Sequence, residues 1–144
     1  MKKIIIAIIL CVVLSSPCYA YRFMDSWSRA DTALQGVFLG LLAVDYFQTR
    51  TMAKNDWMLD GKQYSEINPI MGSHPSTGSV DAYFAISAVG HTIIAMALPP
   101  NYSFHWFDGE ELNIPARRLW QFLWIGVEAG YVGWNYSVGV RIEF

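Results

Sequence analysis

The sequence predicts an all-α membrane protein, a three-helix transmembrane bundle (residues 21–144) behind an N-terminal signal peptide (residues 1–20). Three observations predict it. Of the 144 residues 53% are hydrophobic and only 15% charged, against about 25% charged in ordinary soluble domains. Six Trp and eight Tyr suit a membrane–water boundary. Long apolar segments alternate with stretches rich in turn residues.

The start reads as a processing segment. Lys2 and Lys3 precede the apolar run Ile4 to Leu14, Ser15-Ser16-Pro17 breaks it, and Cys18-Tyr19-Ala20 supplies small residues before a cut after Ala20. The run is too short for a span of about 20 residues, and an uncleaved anchor is the alternative. Pro17 before Cys18 and Leu10 before Cys11 argue against a lipoprotein box. Both cysteines leave with the signal, so the mature chain has no disulfide, thiolate metal site or cysteine nucleophile. It keeps eight basic and twelve acidic residues. No basic cluster follows a phosphate backbone, which excludes nucleic acid as a partner.

Ser28, with Asp31 three residues on, has capping-box spacing and sets the start of the first helix. That span covers about residues 30–50 and is interrupted by Gln35 and Asp45, so a soluble core helix competes with it. Asp45 and Thr49 share one helix face. Residues 51–79 form a polar connector punctuated by Asp60-Gly61, Asn68-Pro69, Gly72 and Pro75. The second span, about 80–98, has Ser79 as its expected cap and Pro99-Pro100 as its stop. Its many small residues allow close helix approach in lipid, and His91 sits near its middle. An acidic, aromatic loop leads to the third span, about 115–136. There Gly126 and Gly130 make a G-x-x-x-G step, serving either dimerisation or packing within the monomer. Gln121, Glu128 and Asn135 recur every seven residues and form a polar stripe. The tail from Tyr136 to Phe144 alternates apolar and polar, as an interfacial extension or, alternatively, the closing strand of an outer-membrane barrel.

A cleaved signal followed by three spans puts residues 51–79 inside and 99–114 outside, without any positive-inside bias among the mature arginines and lysines. Depth does not depend on orientation. At 1.5 Å per residue, Asp45 lies about 7 Å from the connector end of its helix, Glu128 about 12 Å and His91 about 16 Å. Charges inside spans face the bundle interior or a water-filled cavity. The expected polar cluster is therefore Asp45, Thr49, Glu66, Asn68, His74, His91 and Glu128, with the connector folded back onto the helices.

Two functions compete. The first is a non-enzymatic protein of the bacterial inner membrane, whose buried polar network fixes the bundle and binds a small ligand, a membrane-protein partner or a second copy. The second is a membrane-embedded, metal-dependent hydrolase. It would use Asp45, Glu66 and Glu128 as catalytic carboxylates and His91, Glu128 and Asp45 as ligands of a divalent ion. No H-E-x-x-H, G-x-S-x-G, phosphate loop or C-x-x-C is present to name a reaction. The combination D-Y-F-Q-T (45–49), E-I-N-P-I-M-G (66–72), H-P (74–75) and a Glu in the last span resembles small bacterial and phage-encoded integral membrane proteins. The resemblance runs from about Ala30 to Phe144. It implies a helical membrane protein with an envelope role such as lysis or exclusion, and it carries no catalytic residue with it.

Overall fold

The computed structural model describes residues 23–105 and 111–140. The expected signal peptide (residues 1–20), with residues 21–22, 106–110 and 141–144, lies outside them. Three helices dominate: α1 (Arg29–Lys54), α2 (Thr77–Ala97) and α3 (Ala116–Ser137). Two short antiparallel hairpins join them, β1 (Met58–Leu59) with β2 (Lys62–Gln63), and β3 (Tyr102–His105) with β4 (Glu111–Ile114). Of the helices, α2 is long and apolar enough to cross a membrane.

The helix ends follow local chemistry. Ser28 and Asp31 form the expected box: the Ser28 hydroxyl accepts from the Asp31 amide, and the Asp31 carboxylate accepts from the Ser28 amide at 2.8 Å. The cap of α2 is Ser76, three residues earlier than expected, and its hydroxyl accepts from the Ser79 amide. Ser79 thus serves as the capped residue, not the cap. Both α1 and α3 stop by reversing into the left-handed region. Asp56 (φ 50°) lets the Trp57 amide donate back to the Met52 carbonyl, and Gly139 (φ 95°) lets the Val140 amide donate to the Asn135 carbonyl. The side chains so delivered, Met52, Trp57 and Val140, are buried in one cluster and tie these two helix ends together.

The connector is more ordered than a loop of turn residues. Asp60 and Gly61 both have positive φ, the mirror-image turn that matches strand twist, and they close the β1–β2 hairpin with Leu59 opposite Lys62. The acidic loop likewise folds as a ribbon, with Tyr102 opposite Ile114. Tyr136 and Ser137 belong to the last turn of α3 and not to a strand.

Inter-helix hydrogen bonds fix direction. Gln35 and Tyr46 of α1 reach Thr92 and Asp81 of α2, so that pair is antiparallel. Gln121 and Asn135 of α3 reach Asp31 and Asp45 of α1, so those helices run parallel. The apolar core is small: Phe38, Leu42, Val80 and Phe84.

Candidate functional site

Polar side chains fill the bundle in three tiers. At the first, beside the starts of α1 and α3, Arg117 is 1% exposed. Its guanidinium donates to the backbone carbonyls of Ala95, Leu98 and Asp25, the shortest contact being 2.7 Å. It also faces the Asp31 carboxylate at 3.6 Å and the Trp27 ring at 5.3 Å. One side chain thus gathers all three helices and the lead-in segment. Four residues on, Gln121 donates to the Asp31 carbonyl.

The middle tier holds His91. Its ring stacks on Phe38 at 3.7 Å and on Trp120 at 5.5 Å, with Trp124 edge-on. Its Nδ1 lies 3.2 Å from Gln35 Nε2. Gln35 is ten residues before Asp45, about 15 Å along α1.

The third tier is the carboxylate cluster at the connector end. Asp45 Oδ1 accepts from Asn135 Nδ2 at 2.7 Å and from the Thr49 hydroxyl at 3.5 Å. The Glu128 and Glu66 carboxylates lie within electrostatic range of Asp45, and all three act on Tyr131. Glu128 Oε2 is buried and makes no hydrogen bond within the described chain. The E-I-N-P turn folds onto this tier. The Asn68 amide donates to Glu66 Oε1 at 2.8 Å, the Ile70 amide donates to Asn68 Oδ1, and Asn68 Nδ2 donates to the Tyr83 hydroxyl at 2.7 Å. The Glu66 amide is held by the Ser73 carbonyl. A cavity of about 30 Å³ opens beside the cluster, with Thr49, Glu66, Asn135, Trp57 and Tyr64 among its walls. That is room for one or two water molecules and no organic substrate.

The structure therefore assembles Asp45, Thr49, Glu66, Asn68 and Glu128, and leaves both histidines outside. His91 faces an aromatic cage one tier away, because the antiparallel packing of α2 on α1 sets it opposite Gln35 and not Asp45. His74 is on the exposed side of the connector, edge-on to Trp57 and 3.4 Å from Gln63 Nε2. The mixed carboxylate–imidazole ligand set is not brought together. Among the described residues no group of three or more His, Cys, Asp and Glu is arranged to hold a metal ion. Tyr83, Tyr131 and Arg117 join the network without having been singled out from the sequence. Tyr131 and Arg117 lie on the Gln121–Glu128–Asn135 stripe at spacings of three and four, a signal that was available.

Burial pushes the Glu66 carboxyl above its ordinary range, against the pull of the Asn68 and Ile67 amides. A folded value above the unfolded one means that folding favours the protonated form. This stability is complete below the unfolded carboxyl range and is lost as pH rises through the folded value. Glu66→Gln is expected to raise the melting temperature at pH 8 and leave it nearly unchanged at pH 4, read by melts across that interval. Parallel curves for wild type and variant would remove Glu66 as the source. No protein-family model matches the chain, and neither a curated protein nor a solved structure is significantly similar to it.

Proposed function

We propose that the chain is a non-catalytic integral protein of the bacterial inner membrane, in which a buried polar network fixes three spanning helices. The folded-back connector is its binding face for an envelope partner. The observation that carries this is inverted polarity. Among the described residues, ten buried polar or charged side chains outnumber eight buried apolar ones. Large apolar side chains point outward on every helix: Val37 and Phe47, Ile86 and Val89, Leu119 and Leu123. The most apolar stretch of α2 is only 22% buried, whereas the core helix of a soluble protein hides such a stretch. Lipid gives these apolar faces a solvent, and the polar and charged groups face the bundle interior, where membrane proteins keep them.

The water-sized cavity favours a structural or partner-binding role over turnover of an organic substrate. At the connector face Ile67 and Ile70 are exposed while Glu66 is half-buried and Asn68 buried, which gives a partner an apolar surface on a hydrogen-bonded base. The envelope role, lysis or exclusion, rests on the resemblance of the D-x-x-x-T and E-x-N-P elements to phage-encoded membrane proteins.

Both native cysteines lie in residues 1–20, so single cysteines can report on the faces of the helices. In intact vesicles, cysteines replacing Ile86, Val89 and Ile93 are expected to resist a membrane-impermeant maleimide, while one replacing Lys62 reacts from one side. Rapid labelling of all four from the aqueous phase would sink the membrane reading.

A further inference from the structure

A second cavity, independent of the carboxylate cluster, is an open groove of about 330 Å³ between α1 and α2. Leu39, Leu42 and Ala43 form one wall, Phe84, Ala85 and Ala88 the other. At its connector end stand Tyr46 and Asp81. Asp81 Oδ1 accepts from the Tyr46 hydroxyl at 3.0 Å and from Arg50 Nε at 2.8 Å. Arg50 commits Nε to this contact, and its two terminal amino groups make no hydrogen bond within the described chain. Lys54, one turn further, is exposed and within electrostatic range of Asp81. Two cations thus meet one anion, leaving one positive charge in excess.

We propose that this groove is a binding site for an anionic phospholipid, with an acyl chain along the α1–α2 seam and the phosphate on Arg50 and Lys54. The order of chemistry along α1 matches that of a lipid. Leu39, Ala43, Tyr46, Arg50 and Lys54 recur at three- and four-residue spacing on one face, running from apolar through a phenol to two cations. Leu39 to Arg50 spans about 16 Å, close to half of a hydrocarbon core about 30 Å thick, so the charged end falls at headgroup level. The terminal amino groups of Arg50 offer the paired donors that suit a phosphate, and the small floor of Ala43, Ala85 and Ala88 leaves room for a methylene chain. A protein helix seated there would need to answer the excess positive charge at one end only, which a single phosphate does.

The proposal rests on the membrane reading, since an acyl chain enters the groove from a bilayer. Its test is native mass spectrometry of the full chain in detergent, titrated with phosphatidylglycerol or phosphatidylcholine, alongside alkaline extraction of the same protein from membranes. Phosphatidylglycerol is expected to be retained about fivefold more tightly, the factor that one net positive charge contributes against an anionic lipid. Lys54→Gln, an exposed change, should erase that preference. Ala85→Trp, also on the exposed face, should abolish retention of both lipids by filling the groove. Wild type that resists alkali yet binds the two lipids equally overturns the site and leaves the membrane reading standing. Wild type released by alkali overturns both. A dimer that Ala85→Trp disrupts while lipid retention persists assigns the groove to a second copy, and overturns the lipid.

Discussion

Arg117→Ala is expected to cost about 3–5 kcal/mol of folding stability, the range for removing one partner of a buried, hydrogen-bonded charge pair. The size follows from what is left behind. The Leu98 carbonyl, which accepts from both Arg117 Nε and an amino group, loses both donors. The Ala95 and Asp25 carbonyls lose theirs, and the Asp31 carboxylate keeps only its Ser28 contacts. Arg117→Lys should recover less than half, because one ammonium cannot span three separated carbonyls as a planar fork does. Arg118→Ala is the control: that side chain is exposed, and a change within about 0.5 kcal/mol is expected. Unfolding in detergent, followed by circular dichroism, separates them. Equal losses for Arg117→Ala and Arg118→Ala would show that the lead-in segment is not clamped.

Phe38→Ala is the second large effect, expected at about 3 kcal/mol. Phe38 is 1% exposed and is one face of the cage around His91. In water, Phe→Ala costs about 3–5 kcal/mol, part transfer and part cavity. In a bilayer the transfer share shrinks, because lipid tails are as apolar as the core. The cavity and the lost ring contact remain. The site offers an optical readout too, since Trp120 and Trp124 complete the cage. Their emission should shift in Phe38→Ala and much less in Phe38→Leu, which keeps most of the volume. Unchanged emission in both would mean that the tryptophans do not sense this wall.

Much of this was legible in the sequence, for local reasons. The capping box at Ser28, the pairing of Asp45 with Thr49 and the stripe of Gln121, Glu128 and Asn135 depend on spacing along one helix, and α-helical geometry converts spacing directly into faces. Contacts between segments distant in sequence were harder. Arg117 shares the face of the Gln121 stripe, but its partners lie 19 to 92 residues away, so spacing along one helix does not reveal what it clamps. The two hairpins were hidden for a different reason. Asp60-Gly61 marks a turn, but strands of two residues in the first hairpin and four in the second leave too little alternation to detect. His91 shows the limit of reasoning by depth: the antiparallel packing of α2 sets it against Gln35, about 15 Å along α1 from Asp45, and there aromatic rings, not carboxylates, took the histidine. The buried Asn68 was visible as a turn residue before Pro69, whereas its bond to Tyr83 was not.

The two hydrogen bonds that join α1 to α3, Gln121 to Asp31 and Asn135 to Asp45, each connect residues 90 positions apart. The two helices are therefore matched in length over fourteen residues, like the two sides of a ladder with a rung at each end. Deleting one residue from either side between the rungs turns everything beyond it by about 100° and leaves one rung without its far half. Deleting one from each side shortens the ladder and keeps both rungs. Length changes between the rungs thus keep the α1–α3 register only in pairs, one in α1 and one in α3, and the Gln35–Thr92 and Tyr46–Asp81 bonds demand a matching change in α2 as well.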